Sequence, residues 1–213
     1  MALGITEEHE ELRLAVRRFV ETRVTPAVVR VALDAETETL PPFWDAIAEP
    51  GWLDAHVDGA GLLEQAVICE ELGRAAAPGP YLPTAIAAAL LADGGIDRAG
   101  RVAAVAFGTD GVVCGGVTAE VVIVPIGDAW YAFDASALGA REVASVDPTR
   151  RLARFDHPTD PAAGRLLDGV TAERVRTVAA VLLAAEAVGI AQWCTDTAAE
   201  YARSEEHTSE LQS

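Results

Sequence analysis

The sequence contains no lysine, so all 16 of its cationic side chains are arginine. Aspartate and glutamate together number 33, which gives a formal net charge of −17 at pH 7. A surface this acidic repels phosphate backbones, which argues against nucleic acid as the main partner. An anionic ligand would need a local basic patch. We attribute the missing lysine to codon usage in a GC-rich genome rather than to function.

Cysteine is scarce as well. Cys69, Cys114 and Cys194 lie far apart, and the sequence has neither a CxxC pair nor a cluster of cysteine and histidine. Such spacing is typical of neither a zinc site nor a disulfide framework. We therefore expect three reduced thiols that behave as small buried hydrophobic side chains.

Long apolar runs are missing from a chain that is otherwise rich in apolar residues. They make up 51% of the sequence, but no run continues unbroken for the ~20 residues that a membrane span requires. The N-terminus reaches the acidic Glu7 and Glu8 without a basic region or a cleavage site. We expect a cytoplasmic globular protein with one large or two small domains, no membrane span and no secretory signal.

The motifs of several common enzyme classes are also missing. There is no GxSxG turn, and Ser136 and Ser145 have no comparable setting. Cys114-Gly115-Gly116 lies between predicted strands and opens no helix, which predicts a turn rather than a phosphate-binding loop. Asp156 and His157 could form an acid–base pair, but the following proline favours a solvated loop.

Three carboxylates are candidate acids or bases. Glu70 and Glu71 are neighbours on a predicted helix, where such side chains diverge, so they cannot readily share one proton. A solvated face with one inward-facing cap is the simpler interpretation. Glu186 lies between alanines in a predicted helix, and apolar surroundings would raise the pKa of its carboxyl group and make it a base. An outward-facing or helix-paired glutamate is the alternative.

Helical periodicity predicts four helices in the first 92 residues. The first is capped by Thr6 and ends before Pro26. The others are predicted at about residues 40–50, 62–76 and 81–91. The fourth helix is apolar almost all round, so we expect it to be buried on most sides.

From residue 93 the pattern changes to short runs rich in β-branched and aromatic residues, separated by Gly or Asp turns. These runs predict strands at residues 102–107, 112–114, 121–126, 129–133 and 151–155. The connections are too short for crossover helices, which predicts an antiparallel meander or a small barrel rather than a parallel α/β sheet.

Helical periodicity returns near Thr171 and continues to about Tyr201. Residues 203–213 differ from everything before them, with three serines in a short polar run that resembles the in-frame translation of a sequencing-library adapter. We interpret residues 203–213 as a non-native tail and expect the natural reading frame to be interrupted near Ala202. A genuine polar C-terminus is the alternative.

Several segments, in order, resemble the acyl-CoA dehydrogenase family. They are residues 6–26 of the first helix, the F-W-D to G-W-L segment at 43–53, the E-E-L-G-R run at 70–74, the D-P-T-R-R-L-A element at 147–153, and A-A-E-A-V-G at 184–189 with E-Y-A at 200–202. Their order and spacing, rather than any one of them, carry the assignment.

The resemblance implies an α+β fold of several domains. These are a helical N-terminal domain (residues 1–92), a reduced antiparallel β domain (93–168) and the first helix of a C-terminal helical bundle (169–202). It also implies FAD as cofactor, an acyl-CoA substrate, electron-transfer flavoprotein as a partner, and a homo- or hetero-oligomer. In the family a carboxylate removes the α-proton while the β-hydride passes to the flavin.

The sequence departs from the family at its flavin loop. That loop, of T-E-x-x-x-G-S-D type, would fall at residues 107–112, where only Gly108-Thr109-Asp110-Gly111 stands. Thr109 and Asp110 are therefore the candidate flavin-binding residues, and a β-turn is the alternative. The R-x-Q-F-G element expected after Ala202 is absent, and no catalytic base is named.

These observations predict a flavin-dependent acyl-CoA dehydrogenase that is truncated and inactive as this chain. The alternative is a non-catalytic structural subunit that pairs with an active homologue, which the incomplete flavin loop and small β domain favour. Because a bundle cut after one helix exposes apolar surface, we expect the isolated chain to aggregate. The acyl chain length and the oligomeric state are not determined by the sequence.

Overall fold

The fold runs from a group of helices through two small sheets to one long helix. The computed structural model describes residues 4–55, 61–156, 158 and 160–210, with the backbone alone for residues 205–210. The helices are α1 (Glu7–Arg23), α2 (Pro26–Asp34), α3 (Trp44–Ala48), α4 (Leu62–Arg74), α5 (Tyr81–Asp93) and α6 (Ala172–Glu210). This order confirms the predicted α+β fold class.

The first helix follows its predicted start, and a second one follows it at once. Thr6 precedes α1, and its backbone N–H donates to His9 Nδ1 at 3.0 Å, which satisfies one free donor at the helix start. Pro26, interpreted from the sequence only as a stop, is the first residue of α2, with Thr25 Oγ1 accepting from Val28 N at 3.4 Å. Helix α2 was therefore missed because a proline after a threonine ends one helix and begins another equally well.

The remaining N-terminal helices agree more closely with their sequence patterns. Helix α3 begins at Trp44, four residues after the predicted opening, because residues 41–44 form a turn in which Trp44 N donates to the Pro41 carbonyl at 2.9 Å. Helix α4 begins as predicted and ends at Arg74 rather than residue 76. Every residue of α5 from Tyr81 to Leu91 is buried, which confirms the prediction from its unbroken apolar surface.

The β part forms two sheets. The strands are β1 (Ala103–Val105), β2 (Val112–Cys114), β3 (Val121–Ile126), β4 (Ala129–Asp134), β5 (Arg141–Val143), β6 (Leu152–Arg154) and β7 (Arg165–Leu166). One sheet has the order β1-β3-β4-β7 and the other the order β2-β6-β5. All five predicted strands are present, whereas the very short β5 and β7 were missed.

One pair of strands is parallel, contrary to the expected antiparallel arrangement. Strands β1 and β3 pair in parallel with Ala103 opposite Val121, while the other four strand pairs are antiparallel. Between them the chain passes through β2 in the other sheet, so it re-enters the first sheet in its original direction without a crossover helix. A connection through a second sheet was not considered in the sequence interpretation.

The hydrophobic core has two parts, divided by the first sheet. Along β1 and β3 the side chains alternate, as a strand requires. Ala103, Val105 and Ile123 belong to the core shared with α1, α4, α5 and α6. Ala104 and Val122 belong to a smaller core between the two sheets. The first sheet therefore rests on the buried helix α5 and places the second sheet outside it.

Helices α4 and α6 cross with their backbones in contact. A Cβ atom on Gly73 would overlap the Glu186 carbonyl, and one on Gly189 would overlap the Glu70 carbonyl. Both positions tolerate only glycine at this separation, because any larger side chain would push the helices apart. The glycines of the E-E-L-G-R and A-A-E-A-V-G segments therefore set how α6 lies on the N-terminal helices.

Helix α6 packs along only part of its length. Val175, Val178 and Leu182 are buried, whereas Ile190 and Trp193 are exposed by 45% and 52%. Within Ala172–Ser204 an 18-residue window has a mean hydropathy of 1.6, so by length and composition this helix could cross a membrane. A helix that packs in a bundle passes the same test, so this is weak evidence for a membrane span. Helical backbone continues to Glu210, and the origin of residues 203–213 stays a prediction.

Candidate functional site

The three parts of the fold meet at residues 147–151, here called the junction loop, which lies between β5 and β6. Asp147 Oδ1 accepts hydrogen bonds from the backbone N and the hydroxyl of Thr149 at 2.9 and 2.6 Å, which fixes the local turn. The carbonyl of Thr149 then accepts from Gly79 N at 2.9 Å, ahead of α5. The D-P-T-R-R element is therefore a shaped loop that docks on the N-terminal helices.

Arg150 connects the junction loop to α6. Its guanidinium donates to both carboxylate oxygens of Glu186 at 3.0 and 2.6 Å, and its Nε donates to the Gly79 carbonyl at 3.4 Å. Burial lowers the pKa of Arg150, but the hydrogen bonds and charge of Glu186 outweigh it, so the pKa is raised. Because proton transfer to Glu186 would break this bidentate pair, the arrangement favours the paired interpretation of Glu186 over a catalytic base.

Glu38 lies on the other side of the junction loop, in the segment after α2. It is 8% exposed; its Oε2 accepts from Arg151 N at 3.2 Å, and its Oε1 has no hydrogen-bond partner among the residues that the structure describes. Burial raises the pKa of the Glu38 carboxyl to about 7, although the Arg151 amide and the Arg150 charge oppose the shift. No sequence pattern indicates that this group is buried, because D-A-E-T-E-T is typical of a polar, solvated segment.

A ring of hydrogen bonds surrounds Glu38. Thr37 Oγ1 donates to Glu142 Oε2 at 2.7 Å, and Arg151 Nη1 donates to Glu142 Oε1 at 2.8 Å. Arg151 Nη2 also donates to the Ala35 carbonyl. The hydrogen bond from Thr37, followed by that from Arg151, lowers the pKa of Glu142. A cavity of about 70 Å³ lies beside Glu38, lined by residues that include Thr37 and Thr149.

The E-E-L-G-R run forms ion pairs rather than a solvated face. Glu71 is 1% exposed and accepts two hydrogen bonds from Arg17 at 2.9 and 2.6 Å, while Glu70 accepts from Arg13 at 3.1 Å. Arg74 pairs with Asp196 of α6 at 2.9 Å. Of the expected solvated face with one inward-facing cap, the inward carboxylate is Glu71, whereas Glu70 is ion-paired rather than free in water. Sequence patterns could not show this, because the partners come from α1, 54 and 57 residues away in sequence.

The cysteines differ in burial. Cys69 is buried and Cys114 partly buried, and burial raises the pKa of both thiols, to about 11 for Cys114. Cys194 is exposed, contrary to expectation, because it lies on the uncovered part of α6. The glycines after Cys114 form the predicted turn, in which a Cβ on Gly115 would overlap Pro83 of α5.

Thr109 and Asp110 lie on the exposed loop between β1 and β2, which joins the two sheets. Asp110 Oδ1 accepts from Val112 N at 3.3 Å, and the Asp110 carbonyl accepts from Arg154 Nη1 at 2.8 Å. Phe107 is 51% exposed at the start of the loop. His157, of the alternative acid–base pair, lies outside the described residues.

This loop fits one edge of a flavin and not the whole cofactor. A flavin nucleotide needs hydrogen-bond partners along its ring and cations or backbone amides for its diphosphate. The loop provides the exposed hydroxyl of Thr109 and the aromatic ring of Phe107, and Arg154 of β6 adds a guanidinium beside it. The exposed carboxylate of Asp110 is unsuited to binding a diphosphate. The junction loop lies elsewhere in the β part. The junction loop and the loop with Thr109 and Asp110 are therefore two separate features.

A third feature is an apolar groove of about 580 Å³ between α1, α2, the end of α4 and α6. Val20, Val24 and Val29 line one wall, and Ile190 and Trp193 of α6 line the other. At this groove, no other element among the described residues covers the outer part of α6.

Comparison with known proteins connects this fold to one family. Residues 6–102 match the family model described as acyl-CoA dehydrogenase, N-terminal domain. The chain is 33% identical over 220 residues to acyl-CoA dehydrogenase IpdE2 of Mycobacterium tuberculosis, and the match covers 93% of this chain and 64% of that protein. Against IpdE2 of Mycolicibacterium smegmatis it is 32% identical over 213 residues, covering 93% and 66%. The chain thus spans less than two thirds of the length of these relatives.

Solved structures share the fold. The ChsE4–ChsE5 complex of Mycobacterium tuberculosis superposes with a TM-score of 0.79 at 23% identity, over 95% of this chain and 68% of that chain. Butyryl-CoA dehydrogenase of Megasphaera elsdenii gives a TM-score of 0.66 at 17% identity, over 94% and 70%. These structures show the fold, and the family model with the curated relatives shows that the chain belongs to the acyl-CoA dehydrogenase family.

Proposed function

We propose that the chain is part of a flavin-dependent acyl-CoA dehydrogenase, an enzyme that desaturates an acyl-CoA thioester between its α and β carbons. The observation that carries the proposal is the ion-paired frame formed by the family-like segments. E-E-L-G-R fastens α1 and α6 to α4, and D-P-T-R-R fastens the β part to α6. Residues that resemble the family in sequence therefore act together in space, as a preserved family architecture requires.

Bound FAD would supply the redox chemistry by accepting the hydride. From this chain, Phe107 and Thr109 would meet one edge of the flavin, and Arg154 beside Asp110 would supply a positive charge. The junction loop would hold the β part at a fixed position relative to α6. The β part also carries the loop with Thr109 and Asp110, so that loop would be held in place as well. The rest of the flavin site would come from other parts of the protein or from a partner subunit.

The base that removes the α-proton is not assigned to this chain. Glu71 and Glu186 each accept two hydrogen bonds from arginine, and Glu70 accepts one, so in this fold the three carboxylates stabilise helix contacts. We propose that the base belongs to sequence that the relatives have in addition, that residues 203–213 are not native, and that the 213-residue chain is inactive. Cytoplasmic location, an oligomeric state and electron-transfer flavoprotein as acceptor follow from the family and are part of the same proposal.

The test is to resequence the source gene across the codons after Ala202 and to express the resulting protein beside the 213-residue chain. We expect the longer protein to copurify with FAD and to lose its oxidised-flavin absorption when an acyl-CoA is added, and the present chain to do neither. A longer protein that neither binds FAD nor oxidises any acyl-CoA, alone or with a homologous subunit, would contradict the proposal.

A second candidate function is a non-catalytic subunit of a heteromeric dehydrogenase. The specific observation in its favour is the loop at Thr109 and Asp110, which matches the family's flavin loop only in part and carries an exposed carboxylate, a group that would not bind a diphosphate. In this case the longer protein binds no FAD by itself. FAD and activity then appear only when a homologous active subunit is coexpressed, which separates the two candidates.

A further inference from the structure

The segment of residues 35–42, here called the latch segment, is held against the β part at a few points around one buried carboxyl group. We propose that Glu38 is a proton-controlled latch, which holds the latch segment on the junction loop when its carboxyl group is neutral and releases it when the group is ionised. This inference rests on the geometry of the described residues and does not depend on the proposed function.

The surroundings of Glu38 suit a neutral carboxyl group better than an ionised one. The neutral group needs one donor for its carbonyl oxygen, which the Arg151 amide provides, and its hydroxyl can donate to water in the adjoining cavity of about 70 Å³. The ionised group would be 8% exposed with a single hydrogen bond. A carboxylate out of water needs several donors or a close ion pair, so ionisation favours a more solvated position for this side chain.

The nearby arginines do not supply those donors. Arg150 donates to both oxygens of Glu186, and Arg151 donates to Glu142 and to the Ala35 carbonyl. The Nη atoms of both arginines are therefore engaged by other acceptors, and Nε of Arg151 makes no hydrogen bond to Glu38 or to any other described residue. Each guanidinium attracts an ionised Glu38 only from a distance.

The charges around Glu38 come from four elements. Arg150 and Arg151 of the junction loop favour its ionised form, while Glu142 of β5 opposes it. Glu186 of α6 offsets the charge of Arg150 through their ion pair. Cys114 of β2 stays a neutral thiol near pH 7, because burial raises its pKa to about 11. The attractive and repulsive charges oppose one another, which leaves burial as the dominant effect.

Release of the latch segment would loosen the contact between the N-terminal helices and the β part. The segment is also held by Thr37 on Glu142 and by the Ala35 carbonyl on Arg151, while Thr37, Thr39 and Leu40 are exposed. Few contacts would therefore be broken when it opens. The same junction loop carries Arg150, so the protonation of Glu38 adjusts how firmly three parts of the fold are joined.

The test is hydrogen exchange measured by mass spectrometry on the 213-residue chain, at pH about 5.5 and about 8, with labelling times scaled for the intrinsic exchange rate. We expect peptides covering the latch segment to lose at least about tenfold in protection at the higher pH, because the open carboxyl group is already ionised at pH about 5.5 while the buried one, with a pKa of about 7, ionises only between the two pH values. Peptides of α4 report global opening and should remain well protected at both pH values, so that a loss of protection confined to the latch segment is not an effect of unfolding.

Two substitutions separate the latch from a general effect of charge. Glu38→Gln should give the same protection of the latch segment at both pH values. Glu36→Gln makes the same change two residues away on an exposed side chain and should behave as the wild type. Circular dichroism checks that both variants fold. If Glu38→Gln does not fold, the proposal is still tested in the wild type, by comparing the pH dependence of protection in the latch segment with that in α4. The proposal is overturned if the wild-type segment shows no change with pH, if Glu38→Gln retains the change, or if Glu36→Gln abolishes it.

Discussion

Removing Glu186 tests whether the ion pair with Arg150 joins the β part to α6. The two side chains are 15% and 14% exposed, so Glu186→Ala leaves a mostly buried guanidinium whose remaining described hydrogen bond is the long one to the Gly79 carbonyl. Breaking a buried pair on one side costs ~3–5 kcal/mol. Because both side chains keep some contact with water, we expect the lower end, about 3 kcal/mol of the free energy of unfolding.

The second half of the experiment removes both charges. Arg150→Met combined with Glu186→Ala leaves no buried ion, so we expect the double variant to lie within about 1 kcal/mol of the wild type. The double variant should then be about 2 kcal/mol more stable than Glu186→Ala alone, because it no longer buries an unpaired guanidinium. Glu200→Ala removes an exposed carboxylate from the same helix and should change stability by less than about 0.5 kcal/mol.

The assay is urea unfolding at neutral pH, followed by circular dichroism and by tryptophan fluorescence. Coincident transitions from the two probes would justify a two-state treatment of a chain with several parts. An unchanged dependence on urea concentration would show that the variants differ in stability rather than in compactness. The reasoning is refuted if Glu186→Ala costs no more than Glu200→Ala, or if the double variant is no more stable than Glu186→Ala.

Three further predictions follow from glycine packing, proton linkage and thiol exposure. Gly189→Ala should destabilise the chain by about 2 kcal/mol in urea unfolding, because its Cβ would overlap the α4 backbone, whereas Ala187→Ser on the exposed side should be neutral. Burial raises the pKa of Glu38 from 4.5 to about 7, so its contribution to stability is fully present below pH 4.5 and is lost as the pH rises through 7. The full shift corresponds to ~3.4 kcal/mol; we expect about 2 kcal/mol near the surface, and Glu38→Gln should remove this pH dependence. Cys194 should react with a thiol reagent in the native chain and Cys69 only after unfolding.

Each of these has an outcome that would contradict it. A neutral Gly189→Ala would mean that α4 and α6 are farther apart than the structure places them. If the free energy of unfolding rose between pH 4.5 and 7 in the wild type and not in Glu38→Gln, the folded state would favour the ionised form of Glu38, which is the opposite of the prediction. Equal reaction of Cys69 and Cys194 before unfolding would show that α4 is not packed against its neighbours.

The family-like motifs have a physical meaning that their letters did not reveal. In E-E-L-G-R, Glu71 binds Arg17 of α1, Gly73 permits the close approach of α6, and Arg74 binds Asp196. Every one of these contacts is with a residue distant in sequence. The motif could be recognised by resemblance, but its role in fastening three helices could not be derived from local periodicity or propensity.

Local patterns by themselves determined most of the helices and strands. Sequence patterns correctly predicted the start of α1 after Thr6, the burial of α5, and strands β2 and β3. These features depend on caps, on hydrophobic periodicity and on β-branched runs, which act within a few residues. The order and spacing of the family-like segments likewise indicated the fold class and the family.

Tertiary structure alone decided which side chains pair with one another and which of them are buried. Whether Glu71 faces water or Arg17, whether Glu186 is a base or half of an ion pair, and whether Glu38 is solvated or buried all depend on chain segments more than thirty residues away. The parallel pairing of β1 with β3 likewise depends on an excursion into a second sheet. Burial and charge neighbours are properties of the packed chain, because desolvation and Coulomb energies follow distance in space rather than distance in sequence.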